Sequence, residues 1–237
     1  MEAPVRAGSD VIVHARSSRC VINAKLARLS YGSDMAPSAA GRSPRGQGHL
    51  LRERILDAAI ERMAAGEEPH DISVRQLADD VHKTVPALYQ HFASKPELLV
   101  AAATRALDDM AANVSEELST ELDTDTRLRR RAHAFVDFAV EHPVPYRLLF
   151  MTPTPESSRS SLDIMMASVG FHALVEDLAA ARSAGEMIDA DPTDVAIVLW
   201  AALHGVAALL IAHPHLPWPD DLLDRLLDQH AYGLAPR

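Results

Sequence analysis

The residues best placed to do chemistry lie between Asp71 and Leu99, in the run DISVRQLADDVHKTVPALYQHFASKPELL. Tyr89 offers a hydroxyl and Lys95 a charge beside a helix start, and both suit phosphate oxygens. Val85, Pro86, Ala87, Gln90 and His91 are left for an outer face, while Leu77, Ala78, Val81, Leu88 and Phe92 can form a small core. Other chemistry is poorly supplied. The 12 histidines include His133, His142, His172, His204, His213 and His215, but they are scattered. No cysteine accompanies them and no carboxylate array has ligand spacing, so no metal is expected. There is no Gly-rich phosphate loop, nucleophile elbow or His-Glu-x-x-His, so neither enzyme activity nor a cofactor is expected.

The elements around that run must hold it in place. Ser73-x-x-Gln76 and Ser94-Lys95-Pro96-Glu97 both have capping-box spacing and open two helices. Between them a helix starts near Thr84, with Pro86 tolerated in its first turn. A helix from about Leu50 to Ala65 precedes them, with Leu51, Ile55, Ala59 and Met63 on one face and Gly66 as its stop. Two short helices about three residues apart, followed by a long one, have helix-turn-helix spacing, which lets the second enter a DNA major groove.

In these residues the chain resembles the tetracycline-repressor (TetR) family. The resemblance rests on Leu88-Tyr89-x-His91-Phe92-x-Ser94-Lys95-x-Glu97-Leu98-Leu99, preceded by Arg75-x-Leu77-Ala78, within a matching stretch from about Leu50 to Leu99. It implies that Arg75 reaches a base edge or phosphate. It also implies that Thr84, Tyr89, His91 and Lys95 sit on the DNA backbone, and that Val85, Pro86, Ala87 and Gln90 face the bases. Apolar side chains there would meet thymine methyls, and Gln90 would pair with adenine. The chain departs from the family at the turn, where His82-Lys83 replaces the usual Gly-Val. Histidine tolerates a left-handed backbone better than most residues. Lys83 cannot bury its charge, so a shifted turn with Lys83 on a phosphate is one outcome. A helical ligand-binding or scaffolding protein that has lost DNA binding is the alternative that this departure supports.

The rest of the chain reads as helices too. They run from about Asp125 to Glu141, Val144 to Met151, Arg159 to Ser183, Pro192 to Ala212 and Pro219 to Ala231, with a loop at Thr152–Ser158. With no convincing strand, the expected fold class is all-α. The expected domains are a disordered basic arm (1–47), a helix-turn-helix domain (48–94) and a ligand-binding and dimerisation domain (95–237). Arg42 and Arg45 could extend the arm into a minor groove, and Met35 could be the true start.

Residues 1–47 carry seven basic against three acidic side chains, whereas residues 101–237 carry ten against twenty-one. An acidic body discourages nonspecific DNA contact away from the binding face. The single cysteine, Cys20, fits a reducing cytoplasm, and residues 1–30 lack a signal-peptide pattern. Val195–Ala212 touches membrane-span length, but its acidic N-terminal flank and lack of nearby Lys or Arg favour a buried helix at a subunit interface.

The family resemblance extends this to function: a homodimeric repressor on a palindromic operator, released by a small effector, which the apolar and Met-rich candidate contacts suggest is lipophilic. Its last two long helices would pair with their twofold mates. Trp200-x-x-x-His204-Gly205 resembles the Trp-His-Gly subgroup of TetR C-terminal domains. Phe135, Phe138, Tyr146, Phe150, Met165, Met166 and Phe171, with Trp200 and His204, are the expected ligand contacts.

Overall fold

The computed structural model describes residues 47–118, 122–152 and 160–234. The expected arm before Gln47 (Met35, Arg42 and Arg45 included) and most of the Thr152–Ser158 loop lie outside the described residues. Ten helices and no strand are present among the described residues. They are α1 (Gln47–Ala64), α2 (Val74–Asp80), α3 (Val85–Tyr89), α4 (Lys95–Glu117), α5 (Thr124–Glu141), α6 (Pro143–Phe150), α7 (Ser161–Ala167), α8 (Val169–Ala184), α9 (Pro192–Ala212) and α10 (Leu222–Leu234).

The first four helices share one apolar core. Ile55, Leu56, Ala59 and Met63 of α1 meet Leu77 and Ala78 of α2, Leu88 and Phe92 around α3, and Leu98, Leu99, Ala102 and Ala103 of α4. Each is at most 2% exposed. Burying a leucine or isoleucine side chain is worth about 1.5–3 kcal/mol, so this cluster fixes how α2 and α3 sit on α4. Leu51, expected on the same face, is only half-buried.

One of the two expected capping boxes does not form. Ser73 occupies the N-cap of α2 with extended backbone, but its side chain makes no capping bond, so the Ser73–Gln76 box does not form. Ser94 does cap α4, accepting from the Glu97 N–H at 3.2 Å, while the Glu97 carboxylate reaches back to the Ala93 N–H at 2.7 Å.

The helix expected from Arg159 to Ser183 is two helices, bent by 62° at Ser168. The apolar pattern runs through the bend, so the cause lies in hydrogen bonding. The Ser168 hydroxyl donates to the Met165 carbonyl at 2.7 Å and accepts from the Phe171 N–H at 3.2 Å, closing one helix and opening the next. Asp108 of α4 accepts the Val169 N–H at 2.9 Å, so α4 also caps α8. A Cβ on Gly170 would lie 3.2 Å from the Ala111 Cβ, so α8 approaches α4 closely there.

Among the described residues, α9 alone is long and apolar enough to cross a membrane, and 22% of that stretch is buried within the protomer. Its inner face carries Ala196, Leu199, Leu203, Val206 and Ala207. Its outer face carries Val198, 61% exposed, and Leu209, 48% exposed. Ala201 and Ala212 are exposed beside them, and nothing lies within 4 Å of a Cβ placed on Gly205.

Candidate functional site

The turn between α2 and α3 is built on His82. Its φ of +54° is the one positive value at a non-glycine among the described residues. The His82 N–H bonds the Asp79 carbonyl at 3.0 Å, and the Lys83 N–H bonds the Ala78 carbonyl at 2.8 Å. This pair of reversed bonds is the Schellman arrangement that normally places glycine in the left-handed position. Histidine therefore does the work of the usual Gly, the turn is not shifted, and Lys83 stands exposed. Val81, on one side of the turn, is buried, and Val85, on the other, packs against the core.

The Val81 carbonyl accepts from the Arg54 guanidinium of α1 at 3.0 Å, a brace the sequence reading missed. Arg62 of α1 ties down α2 through Asp80 at 2.9 Å. Both contacts join residues far apart in sequence, which local spacing cannot reveal.

On this frame Arg75, Lys83, Thr84, Pro86, Tyr89 and Gln90 are exposed, while Val85, Ala87, His91 and Lys95 are half-buried. The Thr84 side chain makes no capping bond. The Lys95 ammonium donates to the His70 carbonyl at 3.1 Å, so it also holds the loop between α1 and α2. The whole set lies on α2, the turn, α3 and the start of α4, a continuous stretch that can meet phosphates at its edges and bases at its centre.

At the other end of α4, Leu107, Met110, Ala111 and Val114 line a partly open cavity of about 70 Å³, several times what one water needs. Five of the nine expected ligand residues line it: Phe135, Phe150, Met165, Phe171 and Trp200. The other four do not. Phe138 is buried against the His142 ring instead, with centroids 5.3 Å apart, and Met166 is exposed. Tyr146 and His204 stand behind the wall, bonded to each other at 2.6 Å from the hydroxyl to Nδ1. Burial pushes the Tyr146 hydroxyl above its ordinary range and His204 below 6.5. Both shifts favour the uncharged forms of the pair.

Trp200 stacks on His204, with centroids 5.3 Å apart and planes 20° apart, and meets Phe150 edge-on. Its Nε1–H is buried without a partner among the described residues. An unpaired buried donor costs about 1–3 kcal/mol.

The sequence reading missed Arg131, which also lines the cavity. Its guanidinium donates to Asp177 at 2.7 Å and to the Ser115 hydroxyl at 2.8 Å. Asp177 is 8% exposed and also lies 3.0 Å from Arg127. Two further arginines make ion pairs with acids far away in sequence. Arg105 of α4 pairs with Glu53 at 2.7 Å and Asp57 at 2.8 Å on α1, and Arg147 of α6 pairs with Glu68 before α2 at 2.5 Å.

A short N-terminal helix-turn-helix braced on a long helix, with an all-helical cavity behind it, defines a class of DNA-binding regulators. Residues 55–102 match the sequence model of the bacterial regulatory proteins of the tetR family, and residues 128–232 match a tetracyclin repressor-like C-terminal domain. The chain belongs to the tetR family of transcription regulators, which is not an enzyme family.

The HTH-type transcriptional activator FasR of Mycolicibacterium smegmatis is 36% identical over 99 residues, which is 42% of this chain and 45% of that protein. The chain spans about half the length of the curated relatives it matches. Among solved structures, a protein of unknown function from Rhodococcus sp. RHA1 superposes with a TM-score of 0.63 at 24% identity, over 85% of this chain and 100% of that one. The transcriptional regulator FadR of Bacillus subtilis, solved with stearoyl-CoA, gives 0.60 at 14% identity, over 77% and 98%. These likenesses concern the fold.

Proposed function

We propose that the chain is a homodimeric, cytoplasmic repressor that reads a palindromic operator with α3 and leaves it when a small lipophilic molecule fills the cavity. The observation that carries this reading is the double duty of α4. Its first turns pack Leu98 and Leu99 into the helix-turn-helix core, and its later turns line the cavity. A ligand that displaces those later turns must also move the DNA-reading end.

In this reading Tyr89, Lys95, Thr84, His91 and Lys83 hold phosphates, Arg75 a base edge or phosphate, and Val85, Pro86, Ala87 and Gln90 the bases. Phe135, Phe150, Met165, Phe171 and Trp200 contact the effector. A lipophilic effector is favoured by that wall, since methionine adapts to varied shapes. The stearoyl-CoA bound by FadR is consistent with it.

The dimer would form on the outer face of α9, where Val198, Ala201, Leu209 and Ala212 are exposed and half-buried Gly205 leaves open space beside them. Small side chains let two such helices approach closely, and α10 would complete a four-helix bundle. Assignment to the Trp-His-Gly subgroup rests on the spacing of Trp200, His204 and Gly205 alone. Repression is chosen over activation because ligand in the cavity would disturb α4 rather than set it, although the relative FasR is named an activator.

Two states follow. Without ligand, two copies of α3 lie roughly 34–36 Å apart and match successive major grooves. With ligand, α4 swings and that spacing is lost. The shift is limited by the ligand's differential affinity for the two states. Selection from a random duplex library tests the DNA half of this proposal. The expected product is an inverted repeat with half-site centres about 10 base pairs apart. A library that stays random through successive rounds would return the protein to a ligand-binding role without DNA.

A further inference from the structure

We propose that Arg54 of α1 is a further DNA-binding residue, and that it holds a backbone phosphate beside the turn between α2 and α3. This rests on reading the helix-turn-helix as the DNA-binding surface. The contacts assigned so far come from α2, the turn, α3 and the start of α4. Arg54 comes from the helix before them, just outside the residues that match the family's sequence model. Charge pairing sets it apart. Nine arginines among the described residues have a carboxylate partner. Arg54, Arg75, Arg130, Lys83 and Lys95 have none among the described residues. Arg130 is on α5, and the other four lie on the helix-turn-helix or the helices that brace it.

Arg54 is exposed, yet its guanidinium is fixed in place. One Nη2–H donates to the Val81 carbonyl at 3.0 Å, and the other side-chain N–H groups have no partner among the described residues. Val81 closes α2, and a helix C-terminus carries partial negative charge that repels a phosphate. Arg54 covers that carbonyl with a full positive charge. Lys83, assigned to a phosphate, is two residues further on, so no more than about 7 Å of chain separates it from Val81. Nearby acids do not neutralise Arg54: Glu53 and Asp57 are held by Arg105, and Asp80 by Arg62. An arginine anchored at one edge presents its remaining N–H groups as a fixed fork, which suits two oxygens of one phosphate.

Salt titration of binding to the selected duplex tests this, because each phosphate contact sets part of the salt dependence. Arg54→Gln removes the charge and keeps an N–H for the Val81 carbonyl. The expected result is a slope of log K against log salt that is shallower by about 0.9 for each protomer bound, with affinity about fivefold lower per protomer at about 0.15 M salt. Selection with this variant should return the same sequence, and Arg54→Lys should restore the slope. A footprint on the native chain gives a second reading. Phenylglyoxal labelling, followed by peptide mass spectrometry, should find Arg54 protected by the duplex and exposed Arg130 still reactive. That footprint decides if Arg54→Gln fails to fold.

An unchanged salt slope, whatever happens to Tm, makes Arg54 a brace alone and overturns the inference while the DNA reading stands. Equal labelling of Arg54 with and without duplex does the same. A changed sequence preference makes it a base reader and overturns the phosphate assignment. No saturable binding of the native chain to any duplex overturns the helix-turn-helix reading, and this inference with it.

Discussion

Replacing His82 with glycine should make the protein more stable, and the size of the gain can be worked from the turn. His82 sits at φ +54°, where a Cβ crowds the neighbouring carbonyl. That strain is worth about 1–2 kcal/mol for an ordinary residue. The imidazole is exposed, so little packing is lost with it. Glycine gives back about 0.5–1 kcal/mol through the extra freedom of the unfolded chain. The net gain is therefore about 0.5–1 kcal/mol, or roughly 1–4 °C in Tm for a chain of this size. His82→Val should do the reverse and lose more, because a β-branched side chain tolerates this region worst. Thermal melts followed by circular dichroism, with urea titrations beside them, read both variants. The glycine variant should bind operator at least as well as the native chain, since the two reversed bonds and the Arg54 brace are kept. If His82→Gly melts lower and His82→Val melts unchanged, the left-handed turn is wrong, and so is the placement of α3.

Tyr89→Ala should weaken binding to every duplex by about tenfold, whereas Gln90→Ala should change which sequence wins; selection on both variants reads this, and an unchanged preference for Gln90→Ala would remove it from the base-facing set. Leu209→Asp should convert the dimer to monomer in sedimentation while leaving helicity intact, because the charge would be buried in the proposed α9 seam. Asp108→Asn should weaken the tie between α4 and α8 and cut the effector-induced loss of DNA affinity severalfold, with little change in affinity for the free duplex. His204 contributes to acid sensitivity. Its folded pKa lies below the unfolded 6.5, so its contribution is present above 6.5 and lost as pH falls through the lower folded value. A urea series from pH 7.5 to 5 should therefore show stability falling, and less steeply in His204→Gln.

The helix-turn-helix was legible because its signals are local. Leu77, Ala78, Val81, Leu88 and Phe92 are all buried as the spacing requires. The Ser94 cap and the glycine stop at Gly66 are where the residues place them. Failures came where a distant partner decides. Ser73 has capping-box spacing, yet its side chain makes no capping bond. The break at Ser168 interrupts a continuous apolar pattern, and one of its caps comes from Asp108, 61 residues earlier. Arg54, Arg105 and Arg131 carry no signal in their local sequence, because their partners are brought close only by the fold. Of the aromatic and methionine residues, periodicity showed an apolar face but not which side of it meets a cavity. Phe135 lines one, while Phe138, one turn along, packs on His142.

The central claim is that this protein binds a specific operator and releases it on ligand. Fluorescence anisotropy tests it most directly, on a labelled duplex taken from the selected sequence, across salt and with competitor DNA. Saturable binding that survives competitor, and that a cavity-filling effector reverses, is the result this account predicts. Binding that competitor abolishes and salt alone controls would contradict it.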